Sequence, residues 1–156
     1  RDNSWGNPER SERVGNPAKY REVVFCGYGE PLIRLDVVLK TAKILKEKGV
    51  YIRINTNGHG NLIHGRSIVG DLIGLIDEVS VSLDTDTADK YNSICQPKFG
   101  SRTYEKIKEF IAECKKALPK VGITCIDLRE VDMDHCRKIA QELGVGFRAR
   151  HYNEVG

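Results

Sequence analysis

The chain lacks any apolar run near the ~18 residues that a membrane span needs, and its opening Arg1-Asp2-Asn3-Ser4 has no signal-peptide apolar stretch. No membrane partner is expected, and the chain reads as cytoplasmic. An excess of one charge is also missing. The 25 Lys and Arg and 22 Asp and Glu residues interleave to a net +3, so composition marks no nucleic-acid surface and leaves acidic small molecules open as ligands. Cysteine is sparse: Cys26, Cys95, Cys114, Cys125 and Cys136 are odd in number and widely spaced, with no Cys-x2-Cys pair. That excludes a disulfide framework and gives none of the spacing of zinc or iron–sulfur sites. Cys114 and Cys136 fall in helical patterns and Cys125 in a strand pattern, where a cysteine reads as a small buried hydrophobe. No Ser-His-Asp order or paired-carboxylate spacing stands out, so hydrolysis is not expected. Linkers, repeats and low-complexity tracts are absent after residue 20; before it, Trp5-Gly6-Asn7-Pro8 and Gly15-Asn16-Pro17 read as an irregular, exposed segment over 1–20.

What remains is an alternation of strand and helix patterns over 21–156, in a chain of 156 residues that is 40% hydrophobic and long enough for a real core. Strands are predicted at Glu22–Cys26, Val50–Asn55, Glu78–Leu83, Val121–Leu128 and Gly144–Arg150, each rich in Val, Ile or Phe as buried parallel strands are. Between them, Leu35, Val38, Leu39, Ala42 and Leu45 mark a helix closed at Lys48-Gly49. Further helices are predicted at Ser67–Leu75, Ala88–Ile94, a stripe of Tyr104, Ile107, Ile111 and Cys114 stopping before Pro119, and Asp132–Leu143. Such repetition specifies a parallel sheet, either doubly wound or the arc of a barrel.

Parallel folds of this kind place ligands at the carboxyl ends of strands, and those ends are polar here. "FCGYGEPL" (25–32) sets Gly27, Tyr28, Gly29 and Glu30 behind the first predicted strand, and "NTNGHGN" (55–61) follows the second. On the third, Ser80, Ser82 and Asp84 alternate with Val79, Val81 and Leu83, so the three polar groups share a face. The fourth ends at Asp127 and the fifth at Arg148, Arg150, His151 and Asn153. Glycines expose backbone to a ligand's amine or carboxylate, Asn and Ser grip hydroxyls, and Asp84 could accept from two of them. A ligand with an amino-acid end and a ribose suits this set. A Cβ at Gly29 is expected to block the ligand or demand a forbidden φ.

The strings "EVVFCGYGEPL", "RINTNGHGNLIHG", "VSVSLD" and "FRARHYNEVG" resemble the radical S-adenosylmethionine superfamily, in particular its subgroup linked to TatD-family deoxyribonucleases, from Tyr20 onward. The resemblance implies a partial (β/α) barrel with its first strand missing from this chain, S-adenosylmethionine as cofactor, and a 4Fe–4S cluster. Gly27, Tyr28, Gly29 and Glu30 occupy the motif that holds the cofactor's amine, with Tyr28 where many members have glycine. Asn55, Asn57, Ser80, Ser82 and Asp84 would meet the ribose or the methionine carboxylate, while the adenine side touches Ile126, Asp127, Arg148 and Arg150 more loosely. The family's cluster motif, Cys-x3-Cys-x2-Cys, is absent, so its cysteines are expected upstream of Arg1; the alternative is a degenerate, non-catalytic nucleoside- or cofactor-binding module. An open α/β phosphate binder is a third reading. The implied reaction is reductive cleavage of S-adenosylmethionine and hydrogen abstraction from an unknown substrate, with electrons from a flavodoxin or ferredoxin. His59 and His64 read as turn structure or substrate contacts more than as metal ligands. Arg34, Arg53 and Arg102 reach either an anionic substrate or nearby carboxylates, and His135 reads as part of a solvated helix face.

Overall fold

The computed structural model describes residues 19–27 and 29–151. Tyr28, Asn153 and the irregular segment up to Ala18 lie outside them. Five strands, β1 (Val23–Phe25), β2 (Ile52–Thr56), β3 (Glu78–Asp84), β4 (Lys120–Asp127) and β5 (Gly146–His151), form one parallel sheet in sequential order. The order matches the arc of a (β/α) barrel and excludes the strand reversal of a doubly wound sheet.

The helices are α1 (Leu35–Glu47), α2 (Gly60–His64), α3 (Val69–Leu72), α4 (Ala88–Cys95), α5 (Thr103–Ala117) and α6 (Met133–Leu143), with a 3₁₀ turn at Pro31–Arg34. None is long and apolar enough to cross a membrane. Strand alternation decides which face they cover. Ile52 and Ile54, Val79, Val81 and Leu83, and Ile123 and Cys125 are buried against Ile107, Phe110 and Ile111 of α5 and the apolar stripe of α1. The opposite face carries the alternate residues and is polar.

Two segments depart from the sequence reading. Ser67–Leu75 is helical only over Val69–Leu72, because Gly70 weakens the helix from inside and Gly74 turns left-handed at φ 76°. The glycine-rich stretch after β2, read as a loop, winds into α2. Gly60 fits there because its missing side chain admits Ile68 and Leu32, whose methyl carbons lie 2.7 and 3.1 Å from where a Cβ would stand. Asn61 then accepts from the Ile68 amide at 2.9 Å and fixes the connection to α3.

Candidate functional site at the carboxyl edge of the sheet

The turn after β1 is held by one carboxylate. Glu30 Oε1 accepts from the Leu32 amide at 3.0 Å and the Thr56 hydroxyl at 2.7 Å, and Oε2 accepts from the Asn57 amide at 2.7 Å. The side chain thus caps the 3₁₀ turn and bolts it to the end of β2. Burial pushes its carboxyl above the ordinary glutamate range, against the pull of those three donors. Beside it, a Cβ on Gly27 or Gly29 would meet nothing within 4 Å, and neither residue has a left-handed φ. This corrects the expectation of a forbidden φ at Gly29: the backbone there is open, not strained.

From β2, Asn55 Oδ1 accepts from Arg53 Nη1 at 3.2 Å, and Asn57 Oδ1 accepts from the His59 amide at 2.9 Å. Both carbonyl oxygens are engaged within the chain, so the amide groups are what each offers outward. On β3, Ser80 and Ser82 stand half-buried on the polar face with no hydrogen-bond partner among the described residues. Asp84 ends the strand at a register shift with φ 66°. A non-glycine residue in that region is held there by its surroundings and marks functional edges of folds. Its Oδ1 accepts from Arg150 Nη2 at 2.7 Å, spanning β4 from β3 to β5. Asp127 stands apart from this group: one residue out of phase with Ile126 and Arg150, it lies 3.3 Å from His151 Nδ1.

Burial raises the Asp84 carboxyl above its ordinary value and outweighs the opposing pull of Arg150. An acid whose folded pKa exceeds its unfolded one gives its full stability below the unfolded value and loses it as pH rises through the folded one. Asp84→Asn is therefore expected to gain stability relative to the parent as pH rises from 3.8 upward, read by thermal melts across that range. A shift toward the parent would mean that the Arg150 pair dominates.

Tyr91 and Phe99, which the sequence reading missed, complete the edge around His59. His59 Nε2 lies 2.9 Å from the Tyr91 hydroxyl, and Phe99 meets the His59 ring edge-on at 5.6 Å. Cys95, also on α4, is exposed as a residue, but partial desolvation of its thiol and then the Asp84 charge push that thiol up to about 11. The only signal for them was the position of α4 directly after β3. His64 Nε2 is 2.7 Å from the Leu32 carbonyl oxygen, so the two histidines are engaged separately. Arg53 pairs with Glu22 at 2.8 Å and Arg34 with Asp36 at 3.4 Å. His135 is 3.7 Å from Asp86, on the helix face expected for it. Cys114, Cys125 and Cys136 are buried as predicted, while Cys26 and Cys95 are exposed. No group of three His, Cys, Asp or Glu among the described residues could hold a metal ion.

The profile of the radical SAM superfamily matches residues 7–143. The chain belongs to the radical SAM superfamily. It is also 28% identical over 95 residues to an uncharacterized protein of Methanocaldococcus jannaschii, a match covering 60% of this chain. The chain spans about a third (32%) of the length of that curated relative. Membership of this superfamily implies S-adenosylmethionine and a 4Fe–4S cluster in general.

Proposed function

We propose that this chain is the cofactor-binding part of a radical S-adenosylmethionine enzyme of the TatD-linked subgroup, with the cofactor lying across the carboxyl ends of β1, β2 and β3. The observation that carries this is the pairing of open backbone at Gly27 and Gly29 with hydroxyls at Ser80 and Ser82 that have no partner among the described residues. The residues present fit the cofactor's amino-acid and ribose groups. When bound to a reduced cluster, S-adenosylmethionine supplies hydrogen-abstracting radical chemistry. The chain's own residues do the holding. Uncovered backbone on either side of Tyr28 takes the amine, and Glu30 fixes that backbone through its three internal bonds. Asn55, Asn57, Ser80 and Ser82 offer amides and hydroxyls to the ribose and carboxylate. Asp84 accepts from Arg150 with one oxygen and has its second oxygen for a ribose hydroxyl. Arg150 would flank the adenine, whereas Asp127, one residue out of phase on β4, would not. The cluster needs a cysteine set that these residues do not supply, and the whole protein draws its electron from a flavodoxin- or ferredoxin-type partner.

The test is calorimetric titration of S-adenosylhomocysteine into the full-length, cluster-loaded protein. Asp84→Ala is expected to weaken binding by about 1–3 kcal/mol, and Gly29→Val to weaken it by closing the backbone, the latter without loss of melting temperature. If both variants bind as the parent does, the site lies elsewhere.

A further inference from the structure

Nearer the amino ends of the strands, the polar sheet face holds a cleft of about 220 Å³ that shares Ser80 with the proposed cofactor site and otherwise extends beyond it. Its floor is Gly122 of β4 and Gly146 of β5, which are register partners. A Cβ on Gly122 would meet the Gly146 carbonyl oxygen at 3.5 Å, and one on Gly146 would meet the Gly122 Cα at 3.8 Å. Those are ordinary contacts, so sheet packing does not require glycine at either position. What the missing side chains leave is space.

The rim is charged. At its amino end Lys120 pairs with Glu78 at 2.9 Å and Arg53 with Glu22 at 2.8 Å, so both of those cations are matched. At the other end stands Arg148, exposed and without an ion-pair partner among the described residues. Its register neighbour Thr124 also lines the cleft, and it is only 3% exposed. The Thr124 hydroxyl makes no hydrogen bond among the described residues and is not one of their enclosed unpartnered atoms, so its oxygen stays open to a polar occupant of the cleft. Next to Thr124 on β3, the Ser82 hydroxyl is likewise free.

We infer that this cleft is an oxyanion subsite, in which the Arg148 guanidinium and the Thr124 hydroxyl take the carboxylate or phosphate group of a small substrate. An anion is specified because Glu22 and Glu78 match Arg53 and Lys120, which leaves Arg148 as the lining cation without an ion-pair partner among the described residues. The guanidinium fork matches the paired oxygens of either group, and the hydroxyl supplies a further donor from the floor. With a carrier extending along β3 toward Asp84, such a substrate would reach the carboxyl edge. As a substrate subsite the cleft rests on the proposed function, but oxyanion binding by itself does not.

The experiment titrates the full-length protein by calorimetry with inorganic phosphate and, separately, with acetate, at ionic strength matched with chloride. Saturable binding of at least one is expected, and the tighter of the two names the group. Arg148→Gln should weaken it about tenfold or more, and Thr124→Val several-fold. Both variants should keep the parent's melting temperature, and Thr124→Val also its S-adenosylhomocysteine affinity. Absence of saturable binding, or unchanged binding in both variants, would overturn the subsite. Arg148-dependent binding in a protein that takes no S-adenosylhomocysteine would leave the subsite standing and remove the cofactor site instead.

Discussion

Replacing Glu30 with glutamine is expected to cost about 1–3 kcal/mol of stability despite the near-identical shape. The carboxylate is used entirely as an acceptor, with the Leu32 amide and Thr56 hydroxyl on one oxygen and the Asn57 amide on the other. A glutamine must turn its NH₂ toward one of those sets and so places donor against donor in a half-buried spot. If the NH₂ faces Asn57, the bond from the Asn57 amide is lost and only the Thr56 hydroxyl still ties the turn to the end of β2. If it faces Leu32 and Thr56, the 3₁₀ cap is lost, and with it the orientation of a hydroxyl that also accepts from the Gly58 amide at 3.0 Å. For a chain of this size the melting temperature should fall by about 2–4 °C per kcal/mol. A melt of Glu30→Gln that overlays the parent would show that the three bonds contribute nothing net.

Gly58→Ala should be more damaging, at roughly 2–5 kcal/mol, because two costs coincide. At φ 79° an added Cβ meets left-handed strain, about 1–2 kcal/mol. It would also stand 2.8 Å from Ile107 Cγ2 and 2.9 Å from Val81 Cγ1, both buried, and overpacking of that kind costs about 1–3 kcal/mol. Gly49→Ala separates the two, since Gly49 has φ 71° and nothing within 4 Å of its Cβ position. In urea unfolding, Gly58→Ala should lose clearly more than Gly49→Ala. Equal losses would mean that the contact with α5 relaxes freely and that only the turn conformation matters.

Much of the fold was legible because the informative residues report on one element at a time. Val79, Val81 and Leu83 alternate with Ser80, Ser82 and Asp84, and the observed strand buries the first set and turns the second to the polar face. The stripe Tyr104, Ile107, Ile111 and Cys114 is the buried side of α5. Short elements were harder. The α2 helix has a glycine-rich sequence that no periodicity supports, and it forms because tertiary contacts with Ile68 and Leu32 select it. In the site, residue types were readable but their partners were not. That Glu30 spends both oxygens on its own chain, that Asp84 adopts a left-handed φ, and that His59 meets Tyr91 from 32 positions away all follow from the packing of one strand end against another. Thr124 and Arg148 likewise become neighbours only through the register of β4 and β5.

The most direct test of the central claim is product analysis of the full-length protein, reconstituted anaerobically with iron and sulfide, reduced with dithionite and given S-adenosylmethionine. Methionine and 5′-deoxyadenosine should form in equal amounts, and Gly29→Val should lower both together. A protein that carries its full cluster and still yields neither product would contradict the account.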